Sequence, residues 1–231
     1  MLQEDDFVKK ILIFLVLIVS MTAFSYIGML SDFNTALKLA SIQEKEAIVM
    51  FSDKNCSYCV KFEKETLQDN EVQQILKAGY VFAQIYKFNT DKATFPITGE
   101  GTEYSYTDLY AYFGIRGTPT FWFFTTEGSP LTNLPGYVGA KDFIPVVRFL
   151  GEKAYSSMSF EDYKGKPSSY VGTEKIVRVN QDDYDFVLAN DPLAAEYNGQ
   201  DIDVFTVWLT KEQATAQELL SAGVYRVILL N

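Results

Sequence analysis

Histidine is absent from all 231 residues, and cysteine occurs only twice, at Cys56 and Cys59. The first absence excludes serine–histidine and cysteine–histidine catalytic pairs and every imidazole metal ligand. The scarcity of cysteine excludes a disulfide framework, so the two thiols act on each other or on a partner. Positive charge is also short, with 20 Lys and Arg against 30 Asp and Glu and a formal net charge of −10. A protein that grips phosphate backbones needs a basic face, so nucleic acid is not an expected partner. Apolar residues are plentiful at 48%, enough for a core built without cross-links.

Lys9 and Lys10 precede an unbroken apolar run, Ile11–Val19, and a softer stretch continues to Leu30. A charged start, a short apolar centre and small residues at Ala23 and Ser25 fit an export signal cut after Ser25. Residues 11–30 are also long enough to serve as an uncleaved membrane anchor. Residues 1–30 therefore read as a signal peptide or an anchor. With Lys9 and Lys10 on the leading side, both readings put the remainder outside the cytoplasm, in the periplasm or on the outer face of the inner membrane.

Beyond the leader, Asp32–Glu46 has the spacing of a helix, and Ala47–Phe51 is a wholly apolar run that suits a buried strand. A polar bend leads to Cys56-Ser-Tyr-Cys59 and a helix to about Leu67, with Asn55 suited to cap it. A short helix is expected from Asn70, with Asn70 and Gln73 in capping-box register, then a strand at Tyr80–Tyr86. Residues 87–106 are turn-rich and read as an inserted loop, its aromatics capping a core edge. A helix at Thr107–Phe113, strands at Thr120–Thr125 and Leu131–Val138, and an amphipathic helix through Phe143 and Leu150 with Pro145 in its first turn complete the series. A linker is expected over 156–174. Strands at Phe186–Ala189, Val204–Leu209 and Val224–Leu230, with a helix from about Thr210 to Gly223, suggest a small α/β unit. The expected domains are thus 31–163, with 87–106 inserted, and an extension at 164–231.

A Cys-x-x-Cys at a helix start exposes its first thiol to unpaired backbone N–H groups and the positive end of the helix dipole. That setting favours the thiolate, the reactive species. Attack on a disulfide gives a mixed disulfide, and a second thiol one turn away can resolve it. Half of a zinc site would need two further ligands, which without histidine must be carboxylates or come from a second subunit. A purely structural disulfide closing so short a loop contributes little.

The stretches NCSYCVKFEKETLQDNEVQQIL (Asn55–Leu76), YFGIRGTPTFWFF (Tyr112–Phe124) and LPGY (Leu134–Tyr137) resemble the thioredoxin superfamily. The likeness is nearest to exported thioredoxin-related proteins of sulfur-oxidation and disulfide-handling systems, and spans about residues 32–163. It implies an α/β thioredoxin fold, a central mixed sheet flanked by helices. It further implies that Cys56 attacks, that Cys59 resolves, and that Pro119 is cis. The backbone of Thr118 would then pair with substrate beside Ser57 and Tyr58, with no metal and no cofactor. Two departures stand out. Met50 occupies the place of a buried aspartate, leaving Glu63, Asp53, Lys61 or water as proton acceptor, and Ser57-Tyr58 replaces Gly-Pro between the cysteines. The implied activity is a thiol–disulfide oxidoreductase, a reductant of cysteine-containing exported proteins recharged by a membrane or periplasmic redox partner. The alternatives are an oxidase or isomerase, a non-catalytic binding or assembly module, and a glutaredoxin-like dimer sharing an iron–sulfur cluster. The extension is faintly similar to the last strand–helix–strand of rhodanese domains at Ala216–Leu230, but lacks a cysteine.

Overall fold

In a computed structural model of the chain, residues 26–96 and 99–231 are described; most of the expected leader lies outside them. Among the described residues no helix is long and apolar enough to cross a membrane. The larger sheet has five strands: β1 (Met29–Leu30), β2 (Glu46–Ser52), β3 (Tyr80–Tyr86), β6 (Thr120–Phe124) and β7 (Pro130–Pro135). Their spatial order is β1-β3-β2-β6-β7, with β1, β3 and β2 parallel and β6 and β7 antiparallel. All seven residues of β2 are buried, as a central strand covered on both faces requires.

Alternation along the strands sorts two cores. Ala47, Val49 and Phe51 face one side, with helix α1 (Phe33–Gln43) and helix α4 (Tyr106–Tyr112). Ile48 and Met50 face the other. There lie α2 (Ser57–Lys61) and the π turn continuing it (Phe62–Thr66), then α3 (Asn70–Gly79), α5 (Ala140–Gly151) and α6 (Phe160–Lys164). Several local expectations are corrected. Asp69, not Asn70, caps α3, its carboxylate accepting the N–H groups of Glu71 and Val72, while Gln73 donates to the Leu67 carbonyl. Residues 87–106 are not merely a loop, because β4 (Lys92–Phe95) and β5 (Thr102–Ser105) form an antiparallel hairpin. Phe95, Tyr106 and Tyr110 are buried, whereas Phe88 is exposed. Pro145 falls in the second turn of α5, which begins at Ala140.

The second sheet is wholly parallel, in the order β8 (Lys175–Val179), β11 (Arg226–Leu230), β10 (Val207–Thr210), β9 (Ala194–Glu196). Phe186–Ala189 is not a strand but part of helix α7 (Gln181–Asn190), capped by Asn180 accepting the Asp183 N–H. Four apolar residues fit a buried strand or a buried helix equally, so the run alone misleads. Tyr184 and Val187 of α7 pack with Leu37, Ala40 and Ile228, joining the second sheet to the first through α1. On the opposite face, α8 (Gln213–Ser221) covers Trp208, Val227 and Leu229. The expected linker carries α6, whose Tyr163 is buried against Phe149.

Candidate active site

The end of β2 is fixed by Tyr110. Its hydroxyl accepts the Ser52 N–H at 2.9 Å and lies 2.6 Å from the Ser52 carbonyl and 2.8 Å from that of Ile85. Burial pushes the Tyr110 hydroxyl well above the usual phenol range, with the Ser52 backbone hydrogen bond opposing, so it stays a neutral bridge. From that anchored strand the chain bends through Asp53–Asn55 into α2. Asn55 does not cap the helix, since its own N–H donates to Asp53. Cys56 occupies the N-cap position itself, and its Sγ accepts the Cys59 N–H at 3.0 Å.

Cys56 and Cys59 are bonded to each other, with Cα atoms 5.2 Å apart. Cys56 is 9% exposed and Cys59 1%, so the first residue is the less enclosed of the two. Ser57 and Tyr58 both face solvent. The Tyr58 ring lies 6.3 Å from that of Tyr137, which also receives Lys61 over its face and donates its hydroxyl to Glu65. Tyr137 therefore packs against the exposed face of the segment that carries the cysteines. The LPGY motif contained it, but its role could not be seen without the fold.

Phe51 pairs with Thr120, so the end of β2 that leads to Cys56 lies beside the start of β6, immediately after Pro119. The Thr118–Pro119 bond is cis, as the resemblance implies; Phe95–Pro96 is cis as well. Pro119 is buried, and its carbonyl accepts the Gly136 N–H at 2.8 Å. Thr118 is half-buried, and its backbone has no backbone partner among the described residues. A cavity of about 310 Å³ opens beside this turn, lined in part by Arg116, Thr118, Trp122 and Asn133.

Met50, which stands in place of the buried aspartate that the resemblance to cytoplasmic thioredoxins implies, is fully buried. In register beside it on β3 stands Gln84, also buried, whose amide nitrogen donates to Ser52 Oγ at 3.1 Å and to Glu63 Oε1 at 2.7 Å. Of the three acceptors considered, only Glu63 joins this network; Asp53 serves the bend, and Lys61 pairs with Glu65 in the open. Gln84 escaped the sequence reading, although it is a lone amide in an apolar strand, YVFAQIY.

The described part of the chain is similar to several solved structures. A thioredoxin-fold protein from Helicobacter pylori is 18% identical, with TM-score 0.47 over 58% of this chain and 91% of that one. A thioredoxin from Thermus thermophilus is 22% identical, with TM-score 0.43 over 53% and 85%. The C-terminal domain of DsbD from Neisseria meningitidis, in its reduced form, is 23% identical, with TM-score 0.38 over 50% and 89%. No curated protein matches the chain. The family comparison is decisive, because residues 33–151, just over half of the chain, match the thioredoxin-like domain. With its cysteine pair at the start of α2, the chain belongs to the thioredoxin-like family and is a thiol–disulfide oxidoreductase.

Proposed function

We propose that the protein works outside the cytoplasm and reduces disulfides in exported, cysteine-containing proteins. The observation that carries this reading is the asymmetry of the two cysteines at the start of α2: Cys56 is the less enclosed and its sulfur accepts an N–H, while Cys59 is almost wholly buried. In the reduced protein the Cys56 thiolate attacks one sulfur of a client disulfide. The client S–S bond breaks, its other sulfur leaves as a thiolate, and a mixed disulfide with Cys56 forms. Cys59 then attacks the Cys56 sulfur, releasing the second client thiolate and closing the Cys56–Cys59 bond. The client gains two electrons, and a membrane or periplasmic redox partner returns two to the protein. Thr118, beside Pro119, offers an unpaired backbone to an extended client segment, and Ser57 and Tyr58 line the approach. The location outside the cytoplasm rests on Lys9, Lys10 and the apolar run that follows.

Equilibration in defined thiol buffers, with alkylation and mass readout, measures the potential of the pair. A value near or below about −250 mV supports a reductant, and one between about −120 and −180 mV reverses the direction to oxidase or isomerase. Cys56→Ser is expected to abolish turnover, and Cys59→Ser to accumulate the mixed disulfide. A Cys56→Ser variant that retained full turnover would sink the assignment of the nucleophile.

A further inference from the structure

The seam between the two sheets holds a second polar site, remote from the thiols. Residues 167–174 cross it without regular secondary structure, and they are tightly seated: a Cβ on Gly172 would stand 2.6 Å from that of Ala78, and one on Gly151 would stand 2.8 Å from the Tyr170 ring. Behind them is a cavity of about 170 Å³. It is lined by groups that include Lys45, Lys153, Tyr170, Thr173, Lys175 and Arg226. It touches Glu46 at the start of β2, whereas Cys56 follows the end of that strand, roughly 20 Å away at about 3.3 Å per residue.

Arg226 is the unexplained group. It is 4% exposed, and its side chain has no hydrogen-bonding partner among the described residues; Nε and Nη1 are themselves fully enclosed. A guanidinium stays charged at physiological pH and presents its N–H groups as a planar fork. Leaving such a fork unpaired in a protein interior is costly, and the usual partner is a carboxylate or another oxyanion. The surrounding acids do not fill that role. Glu44 pairs with Lys175 at the rim, and neither Glu46 oxygen has a hydrogen-bonding partner. Lys45 is nearly fully buried and donates to the Lys77 carbonyl, and Lys153 adds a further cation to the lining. The lining is cationic in excess and has hydroxyl donors at Tyr170 and Thr173.

We propose that this cavity binds a small oxyanion of the phosphate or sulfate type, held by the guanidinium fork of Arg226, with the Tyr170 hydroxyl as a further donor. The ligand bridges the two sheets, since Arg226 belongs to the second and Lys45 enters the first. It therefore acts on how firmly the extension is held rather than on the thiol chemistry.

The test uses the full chain, unfolded thermally in phosphate, sulfate, acetate or chloride at matched pH and ionic strength, with a calorimetric phosphate titration alongside. Phosphate or sulfate is expected to raise the melting temperature saturably above chloride, with one site per chain. Arg226→Lys keeps the charge but loses the fork, and is expected to weaken phosphate binding by about tenfold or more. Tyr170→Phe leaves the guanidinium in place and keeps the test open if Arg226→Lys fails to fold; it is expected to weaken phosphate binding severalfold. Saturation by acetate alone overturns the phosphate or sulfate assignment. A melting temperature equal in all four salts, or a rise that grows without saturation and is unchanged in both variants, overturns the site itself.

Discussion

Replacing Glu46 by glutamine probes a carboxyl group that the fold encloses beside a tyrosine. Glu46 is 6% exposed, and neither of its oxygens has a hydrogen-bonding partner at ordinary distance. The Tyr80 hydroxyl lies next to it, but directs its single proton to the Val147 carbonyl at 2.5 Å. Burial, with Lys153 and the neighbouring Tyr80 hydroxyl opposing, raises the Glu46 pKa from 4.5 to about 7. The unfolded chain keeps the ordinary value, so the folded state binds more protons between those limits. Stability is whole below pH 4.5, falls as pH rises toward 7, and stays low above it. At about 1.4 kcal/mol per pH unit, that interval corresponds to about 3 kcal/mol. Glu46→Gln removes the ionisation and keeps the side-chain shape. It is expected to be neutral within about 0.5 kcal/mol at about pH 4.5 and stabilising by about 3 kcal/mol at about pH 8. Urea unfolding reads this as a midpoint shift without a change of slope. Lys45 provides a contrast, since burial and then Arg226 lower its pKa to about 7, so its contribution recovers as pH rises from there toward 10.5. That limb is common to both proteins. A difference between them that is the same at low and high pH would refute the reasoning.

Three further substitutions test the frame around the site. Asp69→Ala removes the acceptor for two N–H groups at the start of α3 and is expected to cost about 0.5–2 kcal/mol in urea unfolding. Phe62→Ala empties the space between the rings of Phe121 and Phe143, whose centroids lie 4.5 and 5.3 Å away, and is expected to cost about 3–5 kcal/mol by the same measurement. Gly172→Ala drives a methyl group against Ala78, including its backbone carbon at 3.1 Å, and is expected to lower stability by about 1–3 kcal/mol. An unchanged melting temperature for that variant would mean that the crossing segment yields without cost.

The parts legible in the sequence are those where local chemistry and tertiary demand agree. AIVMF and YVFAQIY are central strands because no half-exposed element would carry runs so nearly wholly apolar, and both lie within the observed β2 and β3. The cysteine pair was legible because its spacing has a chemical purpose, and the bend before it because it is polar. Legibility failed where two periodicities share one short run, as at Phe186–Ala189. It failed again where one residue does another's work: Cys56 caps its own helix, one position after the Asn55 that composition favours. The hairpin at 92–105 was hidden for a further reason. Its strands are only four residues long, β5 is almost wholly polar, and the buried residues Ala93 and Phe95 gain their meaning only from α1 and α4 packed beside them.

Met50 occupies a buried position where a charge would be costly. An aspartate there would have to be desolvated beneath the sheet, and an unpaired buried charge is among the most costly features a core can hold. Here the position is apolar, and the polar element moves one strand over, to Gln84. A neutral amide can be enclosed provided its hydrogen bonds are met, and Gln84 meets them with Ser52 and Glu63. The carboxylate it orients, on Glu63, is only half-buried and lies in the turn just after Cys59. The chain thus holds one carboxylate in a fixed place behind the active-site helix without burying a charge in its core. Ser52 and Glu63 stand on opposite sides of the bend that carries Cys56. By bonding to both, Gln84 ties the strand that delivers the cysteines to the helix that displays them.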